Sequence, residues 1–244
     1  MASKHAWKVE LLPWDHLDPD HVERLYVQRV ACGWREEEVP QYVESAKQGG
    51  KIFYWVVLSD NLPDRDAVLQ RHSERYPTEA TPLRDSAQLI RGVPRDPTGA
   101  QFWPVGHIAL DIHTPEEDAK HGLPGEGVVW MHQLYISYAL HAGGYGSAAV
   151  AKGEEIAAQG PMKGKIMVLD TMASRTQSNP DFLHAMFTSK GNPLPKITNE
   201  QWYTRLGYKT FGKELLVPQW EARPGVYVDI DIVFMSKPIG HLGA

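Results

Sequence analysis

Cysteine is nearly missing from this chain: Cys32 stands alone in 244 residues. A single thiol excludes an intrachain disulfide framework and fits a reducing compartment. No apolar run approaches the roughly 20 residues that cross a bilayer, and the opening MASKHAWKVE carries no signal-peptide core. The expectation is a cytoplasmic protein with no membrane partner. Excess positive charge is missing too. The formal net charge is −5 and no cluster of lysine and arginine stands out, which argues against nucleic acid as a partner. Internal repeats and low-complexity tracts are absent. Two catalytic signatures also fail. No lysine precedes Ser147, so there is no Walker loop, and Tyr145 stands where a G-x-S-x-G elbow needs its first glycine.

What is present is a patterned chain with 42% hydrophobic residues, enough for one large domain over 1–244 with insertions. Apolar, β-branched and aromatic runs predict seven strands, over 7–14, 51–59, 103–113, 128–136, 165–171, 209–217 and 226–236. Helices are predicted from Asp18, as N-cap before Pro19, to Gly33, with Val22, Leu25, Tyr26 and Val30 as the apolar spacing. Further helices are predicted over 39–47, after the glycine turn described below, and over 199–206 before Gly207. Residues 60–100 and 172–197 read as surface insertions, the first with a short helix near 86–90, and 114–127 reads as a turn-rich connection. The strands come in runs rather than alternating strictly with helices. The fold class is therefore α/β in the α+β sense: a mixed sheet flanked by helices, not a doubly wound parallel one.

The chain is organised around 128–159, a strand, a short connection, Gly143-Gly144-Tyr145-Gly146-Ser147, and a helix. Ala149, Val150, Gly153, Ile156 and Ala157 share one face of that helix. Glycines at its start clear side chains from free backbone N–H groups, and the helix dipole favours an anion there. Gly144-Tyr145-Gly146-Ser147-Ala148-Ala149 also satisfies a dinucleotide fingerprint, with Asp170 as its ribose acid. Against that stand the long connection after Ile136 and the lack of a repeated βαβ frame.

The stretch His141-Ala142-Gly143-Gly144-Tyr145-Gly146 resembles the [QR]-x-x-G-x-[GA] acetyl-CoA motif of the GNAT acyltransferases, with His141 where Gln or Arg is usual. Tyr203-Thr204-Arg205-Leu206-Gly207-Tyr208 is similar to the family's aromatic helix followed by Gly-aromatic. The strand order is similar as well. The resemblance covers most of the chain outside the two insertions. It implies a GNAT-like, mostly antiparallel mixed sheet, acetyl-CoA as cosubstrate and an amine as acceptor. It places the cofactor on Leu134, Tyr135 and Ile136, by a backbone N–H that holds the oxyanion, and on His141, Ala142, Gly143, Gly144, Tyr145, Gly146 and Ser147, by amides that hold the pyrophosphate.

Within the family, 132–136 looks like the strand of aralkylamine N-acetyltransferases that carries two histidines. His132 matches the second, and Trp130 stands at the first. His132 is then the candidate base, with a structural histidine in the sheet as the alternative. Tyr203 matches the family's general acid. His107, Asp111 and His113 alternate along one strand face, which reads as partly solvated or as lining the acceptor pocket. Asp111 and His113 are the candidate substrate residues, and no metal site is expected. Cys32 reads as packing rather than an acyl carrier. The expected function is acetyl transfer to a small-molecule amine. The alternatives are a non-catalytic acyl-CoA-binding module and a protein or peptide N-acetyltransferase.

Overall fold

The computed structural model describes residues 6–159 and 161–240. Seven strands form the main sheet: β1 (Val9–Pro13), β2 (Ile52–Leu58), β3 (Pro104–Asp111), β4 (Val128–Ile136), β5 (Ile166–Met172), β6 (Lys209–Arg223) and β7 (Val226–Pro238). Their spatial order is β1-β2-β3-β4-β5-β7-β6. Every pairing is antiparallel except β4 with β5. This is the mixed, mostly antiparallel sheet flanked by helices that the order of elements predicts. β6 and β7 run on as a long hairpin, whose register shifts at three places along its length. Among the described residues, no helix is long and apolar enough to cross a membrane.

The first helix begins and ends as its cap residues dictate. In α1 (Pro19–Cys32), the Asp18 side chain accepts from the Asp20 N–H, and Gly33 closes the helix at φ 76°. α2 (Val39–Lys47) follows with Pro40 in its first turn. The buried face of α1 differs from the expected one. Tyr26 and Val30 are exposed, whereas His21, Arg24, Leu25, Gln28 and Arg29 are buried. Polar side chains can replace apolar ones inward here because they meet partners. Gln28 Nε2 donates to Glu79 Oε2 at 2.7 Å and its Oε1 accepts from His107 Nδ1 at 2.8 Å, and His72 Nε2 lies 3.5 Å from Glu79 Oε2.

Glu79 and His72 come from the first insertion, so 60–100 is not merely surface. It contains α3 (Arg65–Arg75), a helix whose largely polar sequence hides its period, since only Val68 and His72 are fully buried. No helix forms at 86–90; instead Leu89–Ile90 pairs with Val93–Pro94. The rest is folded on Asp85, whose carboxylate takes both Arg95 Nη atoms at 2.6 and 2.9 Å and the Thr98 hydroxyl at 2.8 Å. The expected turn at 114–127 holds a further helix, α4 (Pro115–Lys120), made by a capping box between Thr114 and Glu117.

α5 (Tyr145–Ala158) buries Ala149, Val150, Gly153 and Ala157 against the sheet. At Gly153 an added Cβ would stand 3.2 Å from Ile108 Cδ1, so the small residue sets how closely α5 lies on β3. The second insertion folds into α6 (Ser174–Gln177) and α7 (Pro180–Met186). Phe182 and Met186 of α7 pack with Val228, Ile230 and Ile232 of β7. α8 (Asn199–Arg205) ends at Gly207, φ 96°.

Candidate active site

The site begins where two strands part. β4 and β5 run parallel and pair from Val128 with Ile166 to Met131 with Leu169, and no further. β4 continues to Ile136 beside β3, while β5 continues to Met172 beside β7. A wedge opens between them, and its first two residues are His132 and Asp170. His132 Nδ1 lies 2.9 Å from Asp170 Oδ1. Burial pushes the Asp170 carboxyl up, but the hydrogen bond and charge of His132, with Arg35, outweigh it and hold the carboxyl below its ordinary value. An ionised Asp170 accepts Nδ1–H, which leaves the neutral imidazole's lone pair on Nε2.

A bulge follows at once. His107 pairs with Tyr135 and Ala109 with His132, so β4 has one residue more than β3 across this interval. Gln133 takes it up at φ 45°. A bulge leaves one residue outside the ladder and turns the strand. Gly106 allows the close approach: a Cβ there would lie 2.1 Å from the Tyr135 carbonyl oxygen.

Asp111, across β3–β4 from Trp130, faces the same space. Its Oδ2 accepts from Lys51 Nζ at 2.6 Å and stands 3.7 Å from His132 Nε2. Lys51 also donates to Gln133 Oε1 at 3.1 Å and lies over the Tyr42 ring. His113 follows the end of β3 and stacks on Trp130, with centroids 4.6 Å apart, and beside His132 at 5.6 Å. Burial lowers the His113 pKa, and the neighbouring His132 lowers it further. Trp130 is held by Asp118 of α4, at 2.8 Å from Nε1 to Oδ1. Asp111 and His113, expected on one strand face, are thus brought together with His132 of the neighbouring strand. His107, on the Asp111 strand, is not: it is fully buried under α1. That face of β3 is closed by packing rather than partly solvated, and only its Asp111 end reaches the wedge.

The glycine turn lies at the far end of β4. Ala142 and Gly144 adopt left-handed backbone, φ 66° and 82°. Gly144 is the N-cap of α5, no side chain caps the first N–H groups, and no acid occupies the first turn. These are the conditions for an anion at a helix start. Gly143 cannot carry a side chain without meeting the Tyr145 ring at 2.3 Å. Its carbonyl accepts from Lys8 Nζ at 2.8 Å, and the same ammonium lies 5.4 Å from the Tyr145 ring centroid. Gly146 meets Trp202 of α8, and Ser147 follows it in the half-buried first turn. The His141 ring turns back to the Ile136 carbonyl at 3.1 Å, tying the turn to the end of β4. Leu134 is half-buried, while Tyr135 and Ile136 are buried.

Tyr203 of α8 is packed between Trp202 and Tyr208, at centroid distances of 4.7 and 5.6 Å. Burial raises its pKa, and the negative charge of Asp170 raises it further, so the phenol keeps its proton at neutral pH. Cys32 ends α1, and burial raises its thiol, so it is not an activated nucleophile.

Sequence reasoning named Asp170 only as the acid of a dinucleotide reading, and missed Lys51 and Lys8. Asp170 gave one visible signal, an acid closing the apolar run of β5, but that signal does not tell which residue 38 positions away it faces. Lys51 and Lys8 open strands, where lysine is commonplace.

No protein-family model matches the chain, and no curated protein matches it. Solved structures do. NAA60 of Arabidopsis thaliana in complex with acetyl-CoA superposes with a TM-score of 0.53 at 12% identity, covering 95% of this chain and 98% of that one. The same protein with a bisubstrate analogue gives 0.53 at 14% identity, covering 95% and 98%. A probable GNAT-family acetyltransferase from Chromobacterium violaceum gives 0.51 at 12% identity, covering 97% of this chain and 86% of that one. At such identities the likeness is one of architecture, and with the parted strands and the uncapped helix start it gives the chain a GNAT-like α/β fold carrying insertions.

Proposed function

We propose that the protein is an acetyl-CoA-dependent N-acetyltransferase that passes the acetyl group directly to the amine of a small molecule. One observation carries this reading: the strand that runs from His132 at the mouth of the wedge leads, through the turn over 137–144, to a helix start whose N-cap is a glycine. A thioester laid along β4 would have its pyrophosphate at the N–H groups of 145–147 and its acetyl end beside His132. NAA60, with the same architecture, holds acetyl-CoA and a bisubstrate analogue, which supports the same use here.

His132 Nε2 takes the proton from the acceptor ammonium or amine, with Asp170 fixing the tautomer. The amine nitrogen bonds to the carbonyl carbon, and the C–S bond breaks. A backbone N–H of 134–136, beside the bulge, meets the oxyanion. Tyr203 supplies the proton that the leaving thiolate needs, and solvent carries the proton from His132 back to it. Asp111 attracts the cationic acceptor toward Nε2, while Lys51 holds that carboxylate in place.

Isothermal titration with acetyl-CoA tests the first half, and absence of binding removes the proposal. A free-thiol release assay over arylalkylamines, polyamines, aminoglycosides and amino acids tests the second. Binding without thiol release on any of them would instead leave a non-catalytic acyl-CoA-binding module.

A further inference from the structure

Asp111 is a half-used carboxylate. Its side chain is 8% exposed. Oδ2 is engaged by Lys51, but Oδ1 is buried and, among the described residues, has no hydrogen-bond partner. Leaving such an oxygen unpaired costs on the order of 1–3 kcal/mol, so its persistence points to something that completes it.

Two imidazoles stand around it. One ligand atom from each of Asp111, His113 and His132 lies within 4.8 Å of the other two. The backbone explains the grouping. Asp111 faces Trp130 across β3–β4, so the next residue on the same face of β4 is His132, and the next on the same side of β3 is His113. Behind His132, Asp170 Oδ1 stands 2.9 Å from Nδ1. A carboxylate on the far nitrogen of a ligating histidine fixes its tautomer and raises its basicity, as metal sites commonly require. Trp130 walls the group, its ring within 9° of parallel to His132 and 16° to His113.

We propose that Asp111, His113 and His132 form a binding site for one divalent ion of the zinc class, with water completing the coordination. Two imidazole nitrogens and one carboxylate oxygen suit Zn²⁺ or Co²⁺, and they suit the all-oxygen preference of Mg²⁺ or Ca²⁺ poorly. Ligand atoms bound at about 2.0–2.2 Å must draw closer together than they stand here. The half-buried His113, beyond the end of β3, is the one with room to move. Oδ2, 3.7 Å from His132 Nε2, is the Asp111 oxygen already turned toward that imidazole, and Lys51 shares it. The inference stands on these side chains and does not require acyl transfer. If the acetyltransferase reading holds, the ion takes the Nε2 lone pair that the reaction needs, and metal and catalysis exclude one another.

The test is a titration of chelator-treated, full-length protein with CoCl₂, followed by the visible ligand-field absorption of bound Co²⁺ and by its displacement with ZnCl₂. One equivalent is expected to bind and to be displaced by Zn²⁺, with Mg²⁺ giving no competition. His113→Ala should weaken binding at least about tenfold, and Asp170→Asn about tenfold, both with the metal-free unfolding midpoint close to that of the parent. Absence of a ligand-field band overturns the site. So does equal Co²⁺ affinity in His113→Ala, which would place the ion on other surface histidines, and so does full competition by Mg²⁺.

Discussion

One face of β3 carries two groups of histidine and carboxylate, four residues apart, and they behave in opposite ways. Around His107 the groups are sealed by α1 and the first insertion. His72, Glu79, Gln28 and His107 have no exposure at all. Burial dominates there: it lowers His72 to about 4, raises Glu79 to about 7, and pushes His107 well below its ordinary value. The groups settle into neutral forms and act as polar packing. Around Asp111 the strands part, water reaches Asp170, and the Asp170 carboxyl is held down rather than driven up. The residue types are alike in the two groups. The gap between β4 and β5 separates a half-buried histidine from one sealed in the core.

Gly106 stands one residue before His107 on β3, against the bulged part of β4, and replacing it disturbs the strand pair that carries both groups. Gly106→Ala puts a Cβ 2.1 Å from a backbone oxygen that cannot rotate away. A loss of roughly 3–5 kcal/mol in denaturant unfolding is expected; a change below about 1 kcal/mol would show that the bulge can relax.

The sealed group makes a pH prediction. Between pH 4.5 and 6.5 unfolding gives His72 a proton and takes one from Glu79, so the two contributions oppose each other. Glu79→Gln removes one of them. The depressed His72 then dominates: stability is fully present above its unfolded value of 6.5 and is lost as pH falls toward 4. A fall of about 3 kcal/mol across that window is the upper expectation, read from unfolding curves at stepped pH. A profile as flat as the parent's would mean that the pair is not held neutral.

At the open group, Asp170→Asn should reduce thiol release about a hundredfold with acetyl-CoA affinity little changed, because it disturbs the base and not the cofactor turn. Tyr203→Phe should lower turnover by about tenfold or more, again at constant affinity, and unchanged turnover would remove the phenol from the reaction. The smallest effect belongs to Lys8→Met. It removes the ammonium from the Gly143 carbonyl and should weaken acetyl-CoA binding a few-fold, in line with about 1 kcal/mol for one hydrogen bond.

Most of the frame is legible in the sequence. The seven strands, α1, α2 and α8 announce themselves through apolar runs and cap residues that act within a few positions, and Gly144 starts its helix where the glycine pattern says. What escapes is of two kinds. α3 and α4 are short or polar, with too few buried positions to show a period, and the polar inward face of α1 inverts the expected one because its partners come from the insertion. The site escapes in a different way. His132 and Tyr203 are visible by resemblance, but the pairing of His132 with Asp170 depends on where two strands stop bonding, and the half-used Asp111 depends on Lys51 in a third strand. No local pattern encodes such meetings.

The long β6–β7 hairpin has one more effect. β6 is the last strand of the sheet, and among the described residues no further strand pairs with its outer edge; such an edge is a template for self-assembly in many sheet proteins. The three register shifts along the hairpin bend that rim out of a straight ladder, and Lys209, Lys213 and Glu214 place charge along it. A second sheet laid against this rim would find bonding distance only over short intervals. The irregular hairpin therefore guards the protein against fibrillar stacking.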